Sequence, residues 1–270
     1  MPPRGLSPSG LVLVDKPAGP SSFAVVRRLR AASGARAGHC GTLDPFATGL
    51  LLVLLGSATR LARYLVGLDK RYLAEVDLTA TTETGDPEGP VLERHAPPLG
   101  EELEKRIQAL RGEVELAVPA QSAVKVGGER AYKLARRGVA VEMPVRRSHV
   151  YSLELLAYDG CVAQLDLRVG SGTYVRALAG ALGGHCLALR RTEVGPFRVD
   201  DADEGRILPA AAALPFLQLF EISDQEAQAV RAGRTITRPG EGIVRLVGRD
   251  GLVAIGRAGG GEIRPETVLP

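Results

Sequence analysis

Apolar and polar positions along the chain fall into runs with two periods, one suited to strands and one to helices. Residues 10–14 are a short apolar run and predict a buried strand. Ser21 and Ser22 stand where a helix is capped. Phe23, Val25, Val26 and Leu29 follow, with Arg27, Arg28 and Arg30 on the polar side. Residues 34–48 are rich in Gly, Thr, Asp and Pro and predict a loop. Residues 49–55 are continuously apolar; they suit a central strand, although a run this short also fits a helix. Ser57 is expected to cap a second helix through Leu61 and Leu65. Residues 71–78 set Tyr72, Ala74, Val76 and Leu78 against Arg71, Leu73, Glu75 and Asp77, the alternation of a strand.

Residues 82–90 are turn-rich, and 100–111 predict a charged helix. Val124-Lys125-Val126 leads into a Gly127-Gly128 turn, and a short basic helix is expected over 131–137, ended by Gly138. Strands are predicted at 145–157 and 161–169 around Asp159-Gly160, a helix of small residues at 173–187, and a strand at 190–199. From about Ile222 the texture changes. A helix at 224–232 and strands at 243–247 and 252–255, joined at Asp250-Gly251, predict a small β-rich module. The junction is expected between 205 and 222, giving domains over 1–220 and 221–270. No internal repeat or low-complexity linker is visible.

The length of 270 residues suits that division, and 45% hydrophobic residues suffice for a substantial core. Aromatics make up only 4% and Trp is absent, so each Tyr or Phe is a stronger functional candidate than usual. The net charge of +3 does not by itself argue for a nucleic-acid partner, but its distribution is uneven. Residues 1–70 carry nine Lys/Arg against three acids, 71–120 carry five against eleven, and 125–147 carry seven against two. A basic RNA-gripping segment is one reading of the last stretch, and solvated surface is the other. Cys40, Cys161 and Cys186 are odd in number and widely spaced, which argues against a secreted disulfide framework. The N-terminus shows no signal-peptide apolar region, and no apolar run is long enough to span a bilayer. A cytoplasmic protein is expected.

Asp44 is the leading chemical candidate. Asp-Pro alone is an ordinary turn signal. Here the pair lies among Gly38, Gly41 and Gly49, which permit close backbone approach, on a loop that leads into an apolar strand. His39-Cys40 and His185-Cys186 lack the ligand spacing of a zinc site. No Gly-x-Ser-x-Gly elbow, Walker loop or dinucleotide fingerprint is present. Asp86 and Glu88 lie in a separate acidic turn, so Asp44 has no carboxylate partner within its own motif. Lys125, Arg130, Lys133, Arg136 and Arg137 surround Tyr132, a pattern suited to a phosphate backbone with a base to stack.

Several segments together resemble the TruB family of pseudouridine synthases. They are Val14-Asp15-Lys16-Pro17-Ala18-Gly19-Pro20-Ser21-Ser22, the loop from His39 to Gly49, Asp69-Lys70-Arg71-Tyr72, and Thr84-Gly85-Asp86 with Gly89. Ser122-Ala123-Val124-Lys125 with Arg130-Ala131-Tyr132, Gly172-Thr173-Tyr174-Val175-Arg176, and Leu189-Arg190-Arg191-Thr192 complete the set. They occur in the family's order over about 10–200. The tail resembles, more loosely, the PUA-like RNA-binding module of bacterial members. Ala120 and Gln121 depart from the family pattern of Pro-Pro and an aromatic before the Ser-Ala pair.

The resemblance implies an α+β catalytic domain with a mixed, mainly antiparallel sheet flanked by helices and loops, plus that module. It implies isomerisation of the T-loop uridine at tRNA position 55, by base flipping and one aspartate. Asp44 would be the catalytic carboxylate, Arg176 its ionic partner, and Tyr72 would pack against the base, with removal of the C5 proton as a further role. His39 would occupy or contact the space left by the flipped nucleotide. Lys16, Lys70, Arg71, Asp86, Lys125, Arg130, Tyr132, Arg136, Arg137 and Tyr174 are further RNA-contact candidates. The reaction leaves oxidation state unchanged, so no cofactor and no metal are expected. A monomer with tRNA as its partner, no obligatory protein partner and no membrane is implied. Two alternatives stay open: an RNA-folding protein with secondary or lost catalysis, and a guide-RNA-dependent relative. The short stretch before Asp15 favours the stand-alone type.

Overall fold

A computed structural model describes residues 8–122, 124–131, 134, 137, 139 and 142–270. Its large sheet is built on β1 (Gly10–Lys16), β2 (Thr48–Leu55), β3 (Lys70–Asp77), β4 (Gly112–Ala117), β5 (Val145–Tyr158), β6 (Val162–Val169), β7 (His185–Val194) and β8 (Asp203–Leu208). The spatial order is β8-β1-β2-β7-β3-β6-β5-β4. All these neighbours are antiparallel except β2 and β7, which run parallel. The expected α+β class, with a mainly antiparallel sheet, is what the chain adopts.

The continuous apolar run of β2 is explained by burial on both faces. Leu51, Val53 and Leu55 pack with Val12 and Val14 against Val25, Val26 and Leu29 of helix α1 (Ser22–Ser33). Leu50, Leu52 and Leu54 face the other way, onto Leu61, Leu65 and Phe197. Strand β3 is different. Tyr72, Ala74 and Val76 join a core with Leu103 and Ile107 of helix α2 (Gly100–Ala109) and with Val175, Leu178 and Leu182 of helix α3 (Val175–Leu182). Its alternate residues Arg71, Leu73 and Glu75 are exposed, hence the period of two. Each large side chain so buried contributes about 1.5–3 kcal/mol.

Several boundaries depart from expectation. Ala37–His39, expected as loop, pairs with Val53–Leu55 as a short strand, and Gly38 lies inside it. Ser57 caps no helix; Gly56–Leu61 is a 3₁₀ turn running into a single α turn, Ala62–Leu65. The helix expected over 173–187 stops at Leu182, because Gly183 turns left-handed at φ 95°. Residues from His185 onward belong to β7 instead. Strands β4, β8 and a small pair, Ala80–Thr82 with Val91–Arg94, were not expected. The Gly127-Gly128 turn does join two short strands, Lys125–Val126 and Glu129–Arg130. The basic helix expected over 131–137 falls largely outside the described residues.

A second sheet forms the β-rich C-terminal module. It comprises β9 (Gln218–Glu221), β10 (Gly242–Gly248), β11 (Gly251–Gly259) and β12 (Glu262–Val268), with Ile236–Thr237 at its edge. Helix α4 (Asp224–Arg231) starts with a capping box between Ser223 and Glu226. Ile255 and Leu269 of the module enter the same core as Leu61 and Leu65. The module is therefore seated on the large sheet by continuous apolar packing.

Candidate active site

The Asp44 loop is held from several sides. Ser22, the first residue of α1, is buried, and its hydroxyl both accepts from the Leu43 amide (2.8 Å) and donates to the Leu43 carbonyl (2.9 Å). Lys16, at the end of β1, is fully buried, and its Nζ donates to the carbonyls of Pro17, Pro20 and Pro45 at 2.7, 3.0 and 3.1 Å. Arg191, on β7, is also buried. Its guanidinium donates to the carbonyls of Leu50 (2.7 Å), Thr42 (3.3 Å) and Gly41 (3.1 Å). The parallel pairing of Arg191 with Gly49 places it there. Gly49 has φ 102°, and a Cβ at that position would collide with the Arg191 backbone, so only glycine fits.

Asp44 itself meets Arg176 in a two-pronged ion pair, Nε to Oδ2 at 2.8 Å and Nη2 to Oδ1 at 3.2 Å. The Arg176 side chain is 2% exposed and that of Asp44 30%, so the carboxylate retains an open side. Arg176 stands in the first turn of α3. It also donates to the Thr84 carbonyl (2.6 Å) and the Gln121 carbonyl (2.9 Å). Asp86 lies 3.4 Å from Arg176 Nη1. Its own Oδ1 accepts from Thr84 Oγ1 (2.5 Å) and the Glu88 amide (3.1 Å). One buried guanidinium thus ties together four segments that are distant in sequence. Tyr72, also buried, packs in the cluster that contains Leu43 and Ala47. Among the described residues its hydroxyl has no hydrogen-bond partner.

His39 is half-buried, and its Nδ1 accepts from the Gly41 amide at 3.4 Å. Burial, reinforced by the nearby Arg191 charge, lowers its pKa below the usual histidine value. The same burial lowers Lys16, and brings Lys70 down to about 8.

A family description, "TruB family pseudouridylate synthase (N terminal domain)", matches residues 27–175. The tRNA pseudouridine synthase B of Mycobacterium sp. (strain KMS) is 43% identical over 270 residues, covering 90% of each chain. That of Azoarcus sp. (strain BH72) is 35% identical, covering 96% of this chain and 94% of its own. A solved structure, of an H/ACA RNP bound to a substrate RNA containing 2'-deoxyuridine, superposes with a TM-score of 0.72 at 25% identity. It covers 97% of this chain and 85% of that one. The chain belongs to the TruB family of pseudouridylate synthases.

Within this TruB-family chain, the expected catalytic trio of Asp44, Tyr72 and Arg176 is gathered around one core, while several expected RNA contacts are placed elsewhere. Lys16 and Asp86 are turned inward, one bracing the loop and the other Arg176. Lys70 is buried too, donating to Val66 O (2.8 Å), Leu68 O (2.5 Å) and Ser171 Oγ (3.2 Å). Their low exposure leaves them structural work rather than direct phosphate contact. Arg71 is exposed but engaged across the sheet with Asp166 (2.7 and 2.9 Å) and Glu193 (3.5 Å). Lys125, Arg130 and Arg137 are exposed at the two-stranded turn, Arg137 pairing with Glu129 at 2.8 Å. Tyr132 and Arg136 lie outside the described residues. Tyr174 is half-buried at the N-cap of α3.

Gln121, the departure from the family pattern, serves Arg176 through its backbone carbonyl, which any residue supplies. Arg191 was visible only as part of a motif, with no role attached. Its signal in the sequence was the pair Arg190-Arg191 in an otherwise strand-like segment. Cys40 and Cys186 lie in different cores, and burial pushes both thiols up to about 12. Among the described residues no three His, Cys, Asp or Glu side chains converge as metal ligands. Among the described residues no helix is long and apolar enough to cross a membrane.

Proposed function

We propose that this chain converts uridine 55 in the T loop of tRNA to pseudouridine, with Asp44 as the catalytic carboxylate. The observation that carries this reading is the half-open Asp44 carboxylate clamped by buried Arg176. Family membership supplies the reaction class. The curated relatives, named as tRNA enzymes, support tRNA as substrate.

The reaction breaks the N1–C1′ bond and forms C5–C1′. The hydrogen lost from C5 is balanced by the one gained at N1. A carboxylate assists by attacking as a nucleophile, by stabilising positive charge at C1′, or by removing a proton. Arg176 orients Asp44, and Asp86 in turn holds Arg176. Tyr72 supplies a flat wall for the base. The uridine leaves its stack to reach Asp44, at a cost of about a few kcal/mol. His39, kept neutral by burial, stands beside the loop where the vacated space is filled. Lys125, Arg130, Arg136 and Arg137 grip the stem-loop phosphates. Residues 1–220 form the catalytic domain and 221–270 a PUA-like RNA-binding module. The enzyme works as a cytoplasmic monomer. The deciding experiment is tritium release from tRNA labelled at uridine C5. Wild type releases it, whereas Asp44→Asn loses more than about a thousandfold in rate while still binding tRNA. Equal release from both would remove Asp44 from the chemistry. Release that persists when position 55 is the one unlabelled uridine would remove the site assignment.

A further inference from the structure

The large sheet has an outward face that the isomerisation does not use. Tyr72, Ala74 and Val76 of β3 point into the core with α2 and α3, and Asp44 meets Arg176 on that side. Arg71, Leu73 and Glu75 point the other way and are exposed. The register carries this face across four strands. Arg190, Leu73, Asp166 and Glu154 form one row over β7, β3, β6 and β5, and Glu75 and Gln164 stand in the next.

An antiparallel sheet face open to water ordinarily shows polar side chains. Here Leu73 (40% exposed), Leu156 (56%) and Leu187 (36%) lie open instead. With Phe46 they wall an open hollow of about 470 Å³. Two of these leucines are bulge residues. Leu155 and Ala157 face consecutive residues of β6, which leaves Leu156 extra, and Cys186 and Ala188 face consecutive residues of β3, which leaves Leu187 extra. A bulge re-aims a side chain, and both bulges deliver an apolar one to the same hollow. An apolar hollow with a polar rim marks a place of association.

The surrounding charges select the partner. Arg190 is held by Asp15, Arg71 by Asp166 and Glu193, and Arg168 by Asp69. Glu75 and Glu154 have no ion-pair partner among the described residues. Unpaired acids beside an apolar hollow repel a phosphate backbone and attract a cation. Strands β3 and β6 are each paired on both sides, so they offer no free ladder to an added strand. Side chains alone must do the recognising, as they do when the apolar face of a helix is laid into a groove.

We infer that this outward face is a docking site for an amphipathic, basic helix of a partner protein. Its apolar side chains fill the hollow between Leu73, Leu156 and Leu187, and its lysines or arginines meet Glu75 and Glu154. The site lies on the opposite side of the sheet from Asp44, so the inference stands apart from the proposed tRNA activity.

The probe is a synthetic helical peptide with leucines at i, i+4 and i+7 flanked by lysines. Its control carries glutamates in place of the lysines. The full-length protein should bind the lysine peptide at least about tenfold more tightly than the control. Leu156→Ser should weaken that binding by about fivefold, and Glu75→Lys with Glu154→Lys by about tenfold or more. All three side chains are exposed, so both variants should melt near wild type and convert tRNA at the wild-type rate. Should the charge reversal unfold the protein, Glu75→Gln with Glu154→Gln removes the charge alone and should weaken the peptide by about threefold. Saturating tRNA should leave the peptide bound. Equal binding of the two peptides, or wild-type affinity in the leucine and glutamate variants, would overturn the site. Displacement by tRNA would place this face on the path of the RNA and overturn it too. So would self-association of wild type that Leu156→Ser abolishes in sedimentation, since a second copy would then be the occupant.

Discussion

Arg176 and Arg191 are both buried, both lie beside the Asp44 loop, and they are solvated in opposite ways. Arg176 faces two carboxylates and two carbonyls. Arg191 faces carbonyls alone, three of them. The first orients the Asp44 carboxylate. The second sets the path of the backbone that carries Asp44, and its fork of donors replaces the regular ladder where the chain enters β2. A buried guanidinium is thus not one kind of device. Its acceptors tell which kind it is.

The largest effect that separates the two is expected at Arg176. Replacement by Leu leaves Asp44 and Asp86 facing each other without their cation, and should cost about 3–5 kcal/mol of stability together with nearly all activity. Urea unfolding and tritium release measure the two losses. A stable, active Arg176→Leu protein would remove the pair from both roles. Arg191→Leu should cost less stability, about 2–4 kcal/mol, because it orphans carbonyls rather than carboxylates. It should slow the reaction through a misplaced loop, and Arg191→Lys should not restore it, since an ammonium cannot span three carbonyls with the geometry of a fork. Full rescue by Lys would make Arg191 a charge after all.

Lys70 sharpens the comparison through pH. Burial holds its amine at about 8, against 10.5 in an exposed lysine. Between those values the unfolded chain binds more protons than the folded one, so stability from this group rises with pH across that window. Wild type should therefore gain stability relative to Lys70→Met from pH 8 to 10. Parallel curves for the two proteins would show that Lys70 is not held as the structure places it. The smallest effect belongs to Arg71. Its pair with Asp166 lies on the open sheet face, with the arginine 44% exposed. Arg71→Ala should cost no more than about 1 kcal/mol. A larger loss in thermal melts would mean the cross-strand network is stronger than its exposure suggests.

Much of the fold was legible along the chain. The apolar run before Gly56, the alternation around Tyr72 and the serines ahead of α1 each signal a local element, because burial on one face or two leaves its own period. Strands β4 and β8 were not legible. The side chains of β8 are mostly exposed at one outer edge of the sheet, so little periodicity marks it, whereas β4 alternates Glu113 and Glu115 with the inward Val114 and Leu116 over too short a stretch to stand out. The helix thought to run to 187 shows the other failure: residues 185–187 become strand because β3 offers His185 and Cys186 partners that local propensity cannot see.

At the site, the sequence by itself determined the chemical inventory. It supplied a carboxylate on a glycine-rich loop, a tyrosine on a strand, an arginine opening a helix, and the family order that joins them. Only the tertiary structure decided which of the many cations touch which acids. Lys16 and Lys70 read as RNA contacts, and Arg191 as a motif residue with no role, until β1, β3 and β7 come together and bury them. The physical reason is that a charge's role is set by its acceptors and its distance from water. Both are properties of contacts made by residues more than a hundred positions apart, such as Asp44 and Arg176. Asp44 could be named from its neighbours in the chain, whereas what holds it could not.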